Sequence, residues 1–174
     1  RSAPTIFNFT LLGSGQNGGN QRAIYMEAGA GGQFSNGIVI GQSLEAVDIV
    51  DAATASLVES DALAFSHTLF FDIGASGTHY FPLASEEAAE ENDDGGFDED
   101  SWFRQLDYKN VFGVDPQLAD PFGTDVTGWV PAAGSLGGLA KRPPVALDQS
   151  GDFMGAFQPG AEPWSLGWTA FPAN

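Results

Sequence analysis

The chain has 174 residues, 43% of them apolar and none of them cysteine. One domain with a sizeable core is the expectation, and a disulfide framework, a thiolate metal cluster and a cysteine nucleophile are excluded. Asp and Glu number 23 against 6 Lys and Arg, a formal charge of −17 that repels nucleic acid and anionic lipid, and no apolar run is long enough for a membrane-spanning helix.

In chain order, residues 5–12 read as a strand, β-branched and aromatic with no helical period. Residues 13–20, rich in Gly, Asn and Ser, read as a loop. Further strands are predicted at 23–27, 34–40, 47–50 and 63–71. A turn of helix is predicted within 52–60, where Ala52-Ala53-Thr54-Ala55 favours it.

One phrase recurs along these strands. Ile6-Phe7-Asn8-Phe9-Thr10-Leu11-Leu12 is echoed by Phe34-Ser35-Asn36-Gly37-Ile38-Val39-Ile40 and by Phe65-Ser66-His67-Thr68-Leu69-Phe70-Phe71. A second phrase alternates with it, as Ala23-Ile24-Tyr25-Met26-Glu27-Ala28 and Ala46-Val47-Asp48-Ile49-Val50-Asp51. Asn8 and Asn36 lie 28 residues apart, Asn36 and His67 31. A coil of three short strands and their bends needs roughly 20 to 30 residues per turn. Glycine punctuation without Asn-Gly hairpins between strands favours parallel coiling. Each strand then pairs with its copy one turn on. Asn8, Asn36 and His67 should stack at one bend, the asparagines sharing amide hydrogen bonds and His67 ending the ladder. Ile6, Leu11, Ile24, Ile38, Ile40, Val47, Ile49, Leu63, Phe65 and Leu69 should form the core.

Three parts of one domain are expected: coil turns over 1–73, an acidic loop insertion over 74–101, and a last turn with an irregular C-terminal segment over 102–174. Residues 86–100 should be the most mobile internal segment unless calcium is bound. Asp98 or Ser101 should cap a short helix. Residues 115–144, rich in Pro and Gly, should wrap the coil rather than extend it. The aromatic tail over 153–171 must pack on something.

The repeated phrase resembles the right-handed parallel β-helix, the superfold of the pectate-lyase-like proteins. Asp115-Pro116-Gln117-Leu118-Ala119-Asp120-Pro121-Phe122 and Trp129-Val130-Pro131-Ala132-Ala133-Gly134-Ser135 are similar to the phrases that end many secreted β-helices, with Leu136 where a proline usually stands. The ending Met154-Gly155-Ala156-Phe157 … Trp164-Ser165-Leu166-Gly167-Trp168-Thr169-Ala170-Phe171 is similar to the terminus of bacterial secreted and surface proteins of undefined function. The resemblance implies an all-β, right-handed coil of about three turns, located outside the cell. Arg1 in place of Met suggests the C-terminal part of something longer, or a processed product.

Candidate chemistry is sparse. Asp93, Asp94, Asp98, Glu99 and Asp100 could give a calcium ion its hard oxygens, although the spacing is not that of an EF-hand, and a solvated loop is the competing expectation. Asp48, Asp51 and Asp72 are expected to face solvent. Hydrolases of the resembled fold use paired carboxylates. Its lyases need a basic residue beside calcium carboxylates, and Arg22, the lone basic residue inside the repeats, is not expected near such a cluster. His67 reads as structural, and Ser66 and His67 form no nucleophile motif. Trp102, Trp129, Trp164 and Trp168 could stack on sugar rings, or seal the coil.

The function expected is therefore a non-catalytic extracellular structural or interaction module. Its open first turn, with Ile6, Phe7, Phe9 and Ile24, would meet a preceding part of the same precursor or another subunit. The alternative is a carbohydrate-binding or carbohydrate-active protein with a polysaccharide partner. Calcium is the one candidate cofactor.

Overall fold

A computed structural model describes residues 2–15, 19, 21–83 and 94–167. Six strands run in two parallel sheets. β1 (Thr5–Leu12), β3 (Gly32–Ile40), β5 (Leu63–Phe71) and β6 (Val111–Phe112) pair in that order, and β2 (Ile24–Met26) pairs with β4 (Val47–Ile49). Among the described residues two helices, α1 (Ala52–Glu59) and α2 (Glu99–Phe103), and a 3-10 turn at Val126–Trp129 accompany them.

The register is that of the repeated phrases. Phe7 pairs with Ser35 and Ser35 with Ser66, while Phe9 pairs with Gly37 and Gly37 with Thr68. Asn8, Asn36 and His67 fall between these partners, all left-handed, with φ of 60°, 58° and 50°. Lys109, φ 52°, adds a fourth left-handed residue two positions before β6. Each long strand is thus two short strands joined at a sharp bend. Left-handed backbone costs non-glycine residues about 1–2 kcal/mol, least for asparagine.

Two columns of side chains result. Phe34 and Phe65, stacked with ring centroids 4.8 Å apart, share the interior with Val39, Phe70, Val47, Ile49 and Leu63. On the other side of the second half-strands, Ile38, Ile40 and Leu69 face a second cluster completed by Leu136 and Met154. The C-terminal segment therefore packs on the outside of the β1-β3-β5 sheet. Leu136, 4% exposed, is an anchor of that contact, which gives it a role a proline ring would not fill as well.

The bend residues differ from expectation in one respect. Their amides do not bond one another. Asn36 Nδ2 donates to Lys141 O at 2.8 Å and to Gly151 O at 3.3 Å, and Asn36 Oδ1 accepts from Lys141 N at 2.7 Å. Asn8 Nδ2 donates to Phe153 O. The left-handed conformation turns these side chains outward, toward the C-terminal segment.

The core holds seven of the ten expected residues: Ile38, Ile40, Val47, Ile49, Leu63, Phe65 and Leu69 are at most 3% exposed. Ile6 is 39% exposed, and Leu11 and Ile24 are half-buried, because their turn has no neighbour beneath it. Where Phe9 tips inward, its partner must be glycine: a Cβ on Gly37 would lie 2.2 Å from the Phe9 ring. α2 is capped, as expected of Asp98, by its carboxylate accepting from Ser101 N at 2.9 Å.

Two outcomes follow from these contacts. Asn36 is fully buried, so Asn36→Ala loses both its bonds to the C-terminal segment and its tolerance of positive φ; it should cost about 2–4 kcal/mol in urea unfolding, and half-buried Asn8→Ala less. Asp51 caps α1, accepting from Thr54 N at 2.8 Å and from Ala28 N at 2.6 Å. Burial pushes its carboxyl up, but these N–H donors and the Thr54 hydroxyl outweigh burial and hold it below the ordinary 3.8. Asp51→Ala should cost about 1 kcal/mol at pH 7. A depressed carboxyl stabilises only above its unfolded value, so the deficit against wild type should shrink as the pH of the melt falls below that point.

Candidate functional site

β1 and β2 are the outer members of their sheets. A parallel strand bonds neighbours on both sides, so the first turn presents one row of backbone donors and acceptors outward. The inward columns are open at the same end. Ile6 at 39% exposure pairs with half-buried Phe34, which pairs with fully buried Phe65. Phe7, Phe9 and Ile24 are half-buried, and Tyr25 on β2 is 48% exposed against 3% for its partner Asp48. The four residues expected at an interface therefore lie together in the first turn. The far end is closed instead: Phe81 and Phe103 are stacked and at most 2% exposed, and the Arg104 guanidinium lies 4.2 Å over the Phe112 ring.

Beside the open end lies a cleft of about 900 Å³. One wall is the end of β1 and the loops around it, with Thr10, Ser14, Gln21, Arg22 and Gln42. The other is the C-terminal segment, with Phe122, Trp129 and Phe157. Phe122, 47% exposed, sets a ring edge against left-handed Gly41, where a Cβ would come within 2.3 Å of the ring. Trp129 donates its indole N–H to Gly123 O at 3.1 Å. Trp164, 63% exposed, reaches the rim by donating to Ala156 O at 2.9 Å and by packing on Phe157.

Behind the cleft sits a charge cluster that the sequence reading missed. Arg22 Nε lies 2.9 Å from a Glu45 oxygen and 2.8 Å from Asp48 Oδ2. Glu45 and Asp48 are 5% and 3% exposed. The expectation that Asp48 faces solvent, away from any base, is corrected by the register. Ile24 pairs with Val47, so Arg22 and Glu45 hold the same place in successive turns. Aligning the second phrase two residues further upstream would have brought them together.

The described acidic residues of 94–100 hold separate places. Asp98 caps α2, Asp100 pairs with Arg104 at 2.8 Å, and Glu99, 1% exposed, accepts from Ile49 N at 3.1 Å. Asp94 is 5% exposed and accepts from Gly96 N. Asp93 lies outside the described residues, as do 86–92 of the loop and Trp168. Among the described residues no three His, Asp or Glu side chains could hold one ion. Asp94, Asp98, Glu99 and Asp100 each bond a backbone N–H or an arginine, as caps, acceptors or an ion pair. Asp51 and half-buried Asp72 are separated in role as well, since Asp51 is spent on its helix.

His67 lines a second cleft, of about 440 Å³, with Ser66, Asp61, Trp102 and Tyr108. The Trp102 indole donates to the Tyr108 hydroxyl at 2.8 Å, which donates to Asp61 at 2.9 Å. Trp102 is therefore tied into the wall, with its polar edge satisfied. Burial, and then the charges of Lys141 and Lys109, hold the His67 imidazole below its ordinary value, so it is neutral at pH 7. Ser66 Oγ bonds Ser35 Oγ at 2.9 Å rather than a base.

The charge cluster gives a test of its own. Arg22→Met leaves two buried carboxylates short of their cation and should lower stability by about 2 kcal/mol. Adding Glu45→Gln should restore part of that in a double-mutant cycle of urea midpoints.

A family model described as a pectate-lyase-like beta helix domain matches residues 1–105. Neither the curated proteins nor the solved structures give a match.

Proposed function

Because the chain belongs to the pectate-lyase-like beta helix domain family, we propose that it is a non-catalytic structural or interaction module of a secreted or cell-surface β-solenoid, associating through its open first turn. The proposed architecture is a right-handed coil of about three turns with a C-terminal wrap. The partner is another β-solenoid segment, of the same precursor or of a second subunit, and the setting is bacterial and extracellular. The carrying observation is the gradient along single columns: Ile6 is 39% exposed where Phe65 is fully buried, and Tyr25 48% where Asp48 is 3%. A strand added beneath β1 and β2 would meet the free backbone row and cover these side chains at once. The ending phrases over 115–135 and 154–167 support an exported protein, by resemblance.

A second reading, carbohydrate binding, is favoured by the cleft between β1 and the C-terminal segment, where aromatic faces stand beside amides and hydroxyls. Calcium has no such support from the caps and buried acceptors at 94–100.

Light scattering across a dilution series, with amide exchange, tests the first reading. Association at micromolar concentration, with residues 5–12 protected only in the associated form, is expected. A monomer whose β1 amides exchange as slowly as those at 37–40 would overturn it. Ile6→Lys should abolish association while leaving the melting temperature within a few degrees, since Ile6 is already exposed.

A further inference from the structure

We propose that the 900 Å³ cleft binds an uncharged oligosaccharide and does not cleave it. This rests on the second reading above and specifies its ligand. The cleft is not inherited from the matched family segment alone. Pro121, Phe122, Trp129 and Phe157 lie beyond residue 105, where the family match ends, so the second wall of the site lies outside the matched segment.

The ligand class follows from three features. Phe122 offers a half-exposed ring whose edge abuts Gly41, and Trp164 offers a second exposed ring beside the rim, fixed by its bond to Ala156 O. Rigid aromatic faces stack on the C–H faces of sugar rings at little entropic cost. In the cleft itself Thr10, Ser14, Gln21 and Gln42 supply hydroxyls and amides suited to sugar hydroxyls. Ser14 already bonds Gln21, its N–H and hydroxyl donating to Oε1 at 3.1 and 2.7 Å. That leaves the Gln21 amide N–H2 as a donor held in a set orientation.

Charge then narrows the class. Arg22 is the one ionisable residue among the described residues lining the cleft. Its guanidinium is held from behind by Glu45 and Asp48, so the local sum is negative, on a chain of net charge −17. A uronate would meet repulsion with no free cation to offset it. No carboxylate and no histidine stands among the described lining residues, so they supply no acid and base pair for glycosidic cleavage.

Calorimetry with cellohexaose, xylohexaose and mannohexaose against hexagalacturonate, on wild type, Phe122→Ala and Trp164→Ala, tests the assignment, with circular dichroism checking each fold. The expected result is binding of at least one neutral hexaose, weakened roughly three- to tenfold by either substitution, with no new reducing ends after prolonged incubation. Neutral binding indifferent to Phe122→Ala would overturn the site. Preference for hexagalacturonate would overturn the charge argument. Release of reducing ends would overturn binding without cleavage. A protein that binds none of the four sugars would overturn the carbohydrate reading itself, while leaving the light-scattering test of the open end untouched.

Discussion

Everything in this fold depends on a bend that costs energy. A parallel strand runs straight unless something turns it. Here a single left-handed residue at Asn8, Asn36, His67 or Lys109 does so. The bends stack because the strands on either side are in register, and the hydrogen bonds on both flanks hold a conformation that each residue alone would avoid. Two sides of the coil arise from one strand by this means. So does the split between inner and outer columns, with Phe34, Phe65 and Phe70 inside and Ile38, Ile40 and Leu69 outside.

The outer column would be a liability if left bare, since a flat parallel sheet with isoleucine and leucine on its surface invites association. The C-terminal segment covers it. The same bends that create the outer face also point Asn8 and Asn36 at the segment that covers it, so one conformational choice supplies both the surface and its fastening. Buried charge is handled by the same logic of register. Glu45 and Asp48 are tolerated inside because Arg22 occupies the equivalent place one turn earlier, and Glu99 because it accepts the N–H of Ile49, the last residue of β4. None of these carboxylates is free to recruit an ion on its own.

The coil itself was legible in the sequence because its period is local. Each of Ile24–Met26, Val47–Ile49 and Leu63–Phe71 carries the apolar spacing its strand needs, and the phrase repeats at a spacing one turn can accommodate. The Asn8–Asn36–His67 column was legible for the same reason. The direction of the asparagine amides was not, because it is set by Lys141, Gly151 and Phe153, more than 100 residues away. The cleft was out of reach for a related reason. Trp129 was singled out as a sugar-stacking candidate, but Phe122 owes its place to Gly41, a packing relation that composition does not encode. What each oxygen of the acidic stretch bonds was not legible, because charge density says nothing about whether a backbone N–H is within reach.

The fastening of the C-terminal segment has a kinetic side. Asn36 meets Lys141 across 105 residues, and Thr10 Oγ1 accepts from Ala156 N across 146. The turns can zip from neighbour to neighbour, since each strand needs only the one before it. The outer sheet face, however, stays uncovered until the last fifth of the described chain has been made and laid down. A protein of this contact order closes slowly. During synthesis it passes through a stage in which a finished coil shows an apolar flank to its surroundings. At that stage the net charge of −17 opposes association of like chains through the uncovered flank.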